Sequence, residues 1–586
     1  MENLCNFGDL SFNIVEDKLS SSNDIFWETN KLSEMKNVKF SVEEDLGDYN
    51  GIESLCSNFG FFQDDPSQED ELLLSTDQQK YHQQPYQDYE SFDNLHFDMV
   101  QFDEQQCPTK NPPLCDTKKD QQFYQTPPIE ILKNYGKGFK RLSPDEGKIH
   151  HPENESKLST EDIMKIAGTR FIQSSSLSES ASGLILDHPF GFSFSGLSDE
   201  EKEDVSLAES LLACAEKVGY QQYERARKLL LQIESLSSKT GNPVKRVVHY
   251  FAEALRQRID KETGRVSVST NNMKKMGPLF DPQEVTKDLN PALVAFFQDL
   301  PFCKISMFTC VQTLIENVTN AKKIHVIDLE IRKGLQWTIL MQALQSRNKC
   351  PVELLKITAI VTGNIETLKN IVEDTGKRLK DFARYLNIPF LFDTIIVSDL
   401  LHLREDLFKI DSEETVAVYS QFALQSKIQQ SDQLETIMRV VRTINPKVMV
   451  VAEIEANHNS KSFVNRFIEA LFYFSAFFDC FEDCMKDDEN RMILESKYFG
   501  HGIRNMVAEE GAERKSRNVK IDVWRAFFAR FGMVETELSM MSLYQAELMA
   551  KRFPCGISCT FDMNGHCLLV GWKGTPINSV SVWKFI

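Results

Sequence analysis

KKIHVIDLEIRKGLQW, residues Lys322 to Trp337, sets four apolar residues around a histidine, then Asp328, a second acid, two bases, Gly334 and an amphipathic run. That is the outline of the first strand and turn of a nucleotide-binding α/β domain. Downstream, short apolar runs alternate with long amphipathic ones. Strands are predicted at Ile324–Leu329, Leu354–Val361, Phe390–Val397, Thr415–Tyr419 and Lys447–Ile454. Helices are predicted at Gly334–Arg347, Ile365–Tyr385, Gln430–Arg442 and Ser462–Cys484. Such alternation implies a parallel sheet with helices on both faces. From Val534 on, the pattern becomes β-rich with one helix at Leu543–Lys551, and Asn564-Gly565 marks a hairpin.

Upstream, DVSLAESLLACAEKV places Leu207, Leu211, Leu212, Ala215 and Val218 on one helical face, and NPVKRVVHYFAEALRQRI continues in that style. The heptads are too short for a coiled coil, so a helical cap is expected from about 204 to 315, over an α/β core from about 320 to 586. Residues 1–203 read as a largely disordered acidic region. Its first 100 residues hold 22 acidic and 5 basic side chains, a balance of −17, so the rest of the −20 chain carries about −3. Acid–hydrophobic mixing, as in NFGFFQDDPSQEDELLL (Asn58–Leu74), suits an activation segment or a solubilising tail. One island, Ser159–Gln173, has helix-start chemistry and is expected to dock.

An acidic chain of 586 residues is a poor direct DNA binder, because affinity there comes from Lys and Arg neutralising phosphates. No run of 18 uncharged apolar residues is present, so no membrane segment is expected. Thirteen scattered cysteines without a CxxC pair suggest reduced thiols.

Motif order adds a resemblance. LLACAEKV through VVHYFAEALRQRI, IHVIDLEIRKGLQWTILMQAL, TVAVYSQFALQSKI, VMVVAEIEANHNSKSFVNRFIEALFYFSAFFD, MVAEEGAERKSRNVKIDVW and the closing VGWKGTPINSVSVWKFI resemble, in order, the motifs of the GRAS family of plant transcriptional regulators. The resemblance runs from about residue 205 to the end. It departs at Ser516, where the family has an acid between Arg514 and Arg517; at Gln425, where His is common; and at Val582 within the closing Ser-Ala-Trp. The C-terminal region is similar to the DELLA branch. DELLL (Asp70–Leu74) mimics that branch's name motif, but the TVHYNP-like stretch is absent, so hormone-regulated destruction is not expected.

The resemblance implies a Rossmann-like, methyltransferase-like α/β core with a helical cap. It also implies a nuclear regulator that binds DNA-bound transcription factors, zinc-finger proteins among them, and other GRAS proteins or itself. The motif positions it marks are His325, Asp328, Glu330, Gly334, Gln336, Trp337, Glu453, Glu455, Arg466, Arg514, Arg517, Trp524, Trp572 and Trp583. Partner binding is expected within 205–260, at Leu207, Leu211, Leu212, Tyr250, Phe251 and Leu255. Gibberellin signalling is one pathway this allows. The weak basic patch Lys133–Arg141 is the best import signal in the sequence.

An enzyme of this fold needs glycines in the first turn and an acid at the end of the second strand. Here Glu330 and Arg332 take the glycine positions and are expected to fill the cradle, and the second strand ends Val361-Thr362-Gly363. No cofactor and no catalytic residue are therefore expected; a methyltransferase and a small-molecule receptor are the alternatives. Asp328, Glu330, Glu453 and Glu455 allow a divalent-metal site or, as favoured, ion pairs and hydrogen bonds with Arg332, Lys333, Asn457 and His458. His325 reads as a packed strand residue. Cys555, Cys559, His566 and Cys567 read as structural rather than zinc-binding, because adjacent strand residues face opposite ways. Arg514, Lys515 and Arg517 read as an exposed salt-bridged face or a phosphate or acidic-partner contact. The tryptophans and Phe472–Phe478 read as core or as a partner pocket.

Overall fold

A computed structural model describes residues 131–132, 158–176, 197–265, 291–347, 350–362, 365–485 and 488–586. The acidic tail, DELLL and the basic patch at 133–141 lie outside these residues.

Among the described residues the sheet has nine strands: β1 Lys323–Asp328, β2 Leu354–Thr362, β3 Phe390–Val397, β4 Thr415–Gln421, β5 Val448–Ile454, β6 Met533–Thr536, β7 Cys559–Asn564, β8 Cys567–Trp572 and β9 Thr575–Phe585. Their order is β3-β2-β1-β4-β5-β9-β8-β7, with β6 also paired to β9. Strands β1 to β5 are parallel, and β6 to β9 join antiparallel. The order reverses between β1 and β4, which makes the gap above them the switch point of the fold. Ile324 and Val326 of β1 face one core, and Ile327 faces the other. Both faces are covered, as a parallel sheet requires.

The helices are α1 Thr160–Ser176, α2 Asp199–Gly219, α3 Tyr223–Leu236, α4 Pro243–Glu262, α5 Pro291–Asp299, α6 Phe302–Asn317, α7 Leu335–Gln345, α8 Ile365–Tyr385, α9 Ser431–Ile444, α10 Phe463–Cys484, α11 Asp488–Ile493, α12 Gly500–Val507, α13 Ile521–Ala529 and α14 Met540–Lys551. One face of the sheet carries α6, α7, α8 and α10; α9 and α13 cover the other. Among the described residues no single helix is long and apolar enough to cross a membrane.

Local chemistry sets the cap helices. Ser198 and Glu201 form a reciprocal capping box on α2. Asn242 caps α4 through the Lys245 N–H, with Pro243 in the first turn where its missing donor costs nothing. Ser159 caps α1 at the Asp162 N–H, and the Asp479 carboxylate of α10 takes the Thr160 N–H. Helix α1 packs its buried Ile163, Met164, Ile166 and Ala167 with α2 and α10, so the island at 159–173 does dock.

Two expectations need correction. Helix α6 was placed in the cap, yet it packs on β5 and β9 of the sheet. It is apolar nearly all round, so its pattern does not distinguish a helical neighbour from a sheet. Second, Cys484 at the end of α10 and Cys555 form a disulfide, with Cα atoms 5.7 Å apart, where reduced thiols were expected. The pair is 71 residues apart in sequence and meets only once the C-terminal strands close on α10.

Candidate functional site

Asp328 ends β1 and organises the turn after it. Its Oδ1 accepts the Glu330 N–H at 3.1 Å, and its Oδ2 accepts Gln336 Nε2 at 3.0 Å and Trp337 Nε1 at 2.9 Å. Gly334 sits at φ 70°, and a Cβ there would lie 3.1 Å from Thr375 and 3.2 Å from Leu379 of α8. Glycine serves both the left-handed backbone and the close helix approach. Trp337 meets the Tyr419 ring edge-on at 4.9 Å. This motif is thus a structural clamp between β1, α7 and β4.

His325 is fully buried, with Nδ1 2.9 Å from Glu414 and Nε2 2.8 Å from Thr358 Oγ1. Burial lowers its pKa to about 3, so the ring stays neutral. Glu453 accepts the Leu424 N–H at 2.9 Å, and Glu455 accepts the Ile521 N–H at 3.0 Å. Glu330 faces Arg332 at 3.7 Å. Asp328 and Glu330 thus belong to the turn after β1, Glu453 holds the loop after β4 and Glu455 the start of α13, and among the described residues no group of three or more His, Cys, Asp or Glu could hold a metal ion.

The arginines differ from expectation. Arg514 and Arg517 are buried, not an exposed face; only Lys515 of that trio is exposed. Arg514 donates to the His458 carbonyl at 2.8 Å, and Arg517 to Asn459 Oδ1 at 3.0 Å and the Gly511 carbonyl at 2.8 Å. Arg466 donates to the Met506 carbonyl at 2.9 Å and the Ser460 carbonyl at 2.8 Å. It also pairs with Glu510, which Arg258 of α4 shares at 2.8 Å. Burial, then the neighbouring Arg466 and Arg517, lowers the Arg514 pKa to about 9. Backbone carbonyls can satisfy guanidinium donors without acids, which the sequence does not display. Glu510 is the hub of this lock, and nothing in its local sequence marks it.

The tryptophans are core residues. Trp524 stacks on Phe528 at 5.7 Å, Trp572 donates to Asp479 Oδ2 at 2.8 Å, and Trp583 meets Phe528 at 4.7 Å. His566 is half-exposed and Cys567 fully buried, while Cys555 is held in the disulfide. Leu207, Leu211, Leu212, Tyr250, Phe251 and Leu255 are all buried inside the cap. Their apolar face packs inside the cap, while Tyr220, Leu231 and Leu236 are exposed on the cap surface.

Above the carboxyl ends of β1, β2, β4 and β5 lies a crevice of ≈ 720 Å³. Leu329 to Arg332, Ile360 to Thr362, Phe422 to Lys427 and Ile454 line it, and the segment Lys515 to Asn518 closes one side. Glu330 and Arg332 form part of its wall and do not fill it, which corrects the expectation of an occupied cradle. Their own ion pair holds them beside the opening.

The buried acids make a pH prediction. Burial raises Glu453 and Glu455 from the ordinary value of 4.5 to about 8. The folded state then keeps protons that the unfolded chain releases. Their contribution to stability is full below 4.5 and is lost as pH rises through about 8. Urea unfolding at pH 6 and pH 9 is expected to show a smaller alkaline loss for Glu453→Gln than for the unaltered chain. An equal loss in both would contradict the buried-acid account.

Parallel sheet, switch-point crevice and antiparallel C-terminal strands define a Rossmann-like α/β protein with a helical cap. The GRAS domain family model matches residues 207–584, and the chain belongs to that family. It is 29% identical over 391 residues to DELLA protein GAI1 of Vitis vinifera, covering 66% of this chain and 63% of that protein. It is 30% identical over 386 residues to DELLA protein RGL3 of Arabidopsis thaliana, covering 66% and 70%. The crystal structure of SCL7 from Oryza sativa is similar with a TM-score of 0.56 and 25% identity, covering 64% of this chain and 99% of that one.

Proposed function

We propose that this chain is a nuclear transcriptional coregulator of plants that works through protein contacts. The observation that carries this reading is the GRAS family match over residues 207–584. Its partners are DNA-bound transcription factors, zinc-finger proteins among them, and other GRAS proteins or a second copy of itself. The setting is plant development or hormone signalling, with gibberellin signalling the pathway to test first, given the DELLA relatives.

The net charge of −20 supports indirect action, since a chain of strongly negative balance gains little from phosphate contacts. Two features weigh against a methyltransferase: the glycine-poor turn at Glu330 and Arg332, and Thr362 in place of a ribose-binding acid. Fluorescence anisotropy of the purified full chain with promoter DNA at physiological salt is expected to show no sequence-specific retention. Specific retention of naked DNA would favour a direct DNA binder instead.

A further inference from the structure

The crevice at the switch point carries a charge opposite to that of the chain. Arg332, Lys427, Lys515 and Arg517 line it, and Glu330 is its one acidic lining residue, in a chain of net charge −20. Arg517 is fixed by Asn459 and Gly511, and Arg332 stands beside Glu330. The ammonium groups of Lys427 and Lys515 make no ion pair or hydrogen bond among the described residues. In the same wall, the donor Arg332 Nε is buried without a hydrogen-bond partner. Unsatisfied buried polar atoms of this kind call for a partner. Ile360, Val361, Ile437 and Ile454 supply an apolar surface beside them.

We infer that this crevice binds a small organic anion, with its apolar body against Ile360, Val361 and Ile437 and its carboxylate or phosphate among Arg332, Lys427 and Lys515. The ≈ 720 Å³ volume falls within the usual range for small-molecule sites. Charge-assisted hydrogen bonds from lysine and arginine are the stronger kind and select for an anionic head. The same basic wall disfavours S-adenosylmethionine, whose sulfonium and ammonium outweigh its carboxylate, and no acid at Thr362 awaits its ribose. This inference does not depend on the partner-binding role proposed above, and its failure would leave that role standing.

The test uses the full chain and two dyes of one shape. 8-Anilinonaphthalene-1-sulfonate has an apolar body and an anionic head; N-phenyl-1-naphthylamine has the body alone. Fluorescence titration is expected to give saturable, one-to-one binding of the sulfonate. Lys427→Glu with Lys515→Glu should weaken it by roughly tenfold or more, which is about 1.4 kcal/mol, without changing the urea midpoint. Lys515→Glu alone, at an exposed side chain, should give a partial loss and guards against misfolding of the double variant. The uncharged dye should bind more weakly than the sulfonate. Equal binding of the two dyes, or an affinity unmoved by either variant, would overturn the inference. So would carbodiimide cross-links joining Lys427 or Lys515 to acids within residues 1–100, because the chain's own acidic segment would then be the occupant.

Discussion

Trp583→Ala is expected to destabilise the folded region by about 3–5 kcal/mol, the usual cost of emptying a buried aromatic site. Trp583 lies on β9, the strand that joins the parallel half of the sheet to the antiparallel half. It pairs with Met449 of β5 and Glu535 of β6 and meets the Phe528 ring of α13 at 4.7 Å. Its side chain is 1% exposed. Trp583→Phe keeps most of the volume and loses chiefly the Nε1 bond to Ser581 Oγ, so a loss of about 1 kcal/mol is expected. Urea unfolding measures both. A Trp583→Ala variant as stable as the phenylalanine variant would show that the second core does not depend on this ring.

The second large effect is expected at Arg246 of α4. Its guanidinium donates to Glu495 at 3.0 Å, to Glu482 at 2.8 Å and to the Gly241 carbonyl at 2.8 Å. Glu495 lies in the π-helical turn Leu494–Phe499 and is fully buried. Burial pushes its pKa up, while Arg246 and Arg491 pull it back. Arg246→Ala leaves that carboxylate with Arg491 alone, at 3.3 Å, and is expected to cost about 3–5 kcal/mol. Arg246→Met with Glu495→Leu removes both charges and should recover most of the loss. If the double variant were no more stable than Arg246→Ala, lost packing rather than an uncompensated charge would be responsible.

Strands and amphipathic helices were legible because their periodicity is local. Ile365–Tyr385 and Phe390–Val397 are found at the expected residues, since polar and turn residues bound both runs. Helix α6 was misplaced because eleven of its sixteen residues are buried, leaving little amphipathic contrast to read. Leu207, Leu211, Leu212, Ala215 and Val218 share one face of α2, and the structure buries it, because a periodic apolar stripe marks what a helix buries. Arg514 and Arg517 looked like surface charges because their acceptors, the backbone carbonyls of His458 and Gly511, have no sequence signature. The crevice follows from the strand order, which only the folded sheet displays, and its charge has no local sequence signature either. Lys427 follows β4 and Lys515 precedes α13, and only the folded sheet brings them to one wall.

Protein contact as the means of regulation is tested most directly by tethering. The full chain, fused or not fused to a heterologous DNA-binding domain, is expressed in plant cells with a reporter carrying only that domain's operator. The account predicts that reporter transcription changes with the fused chain and not with the unfused one. Transcription unchanged by the fused chain, at matched nuclear protein levels, would contradict it.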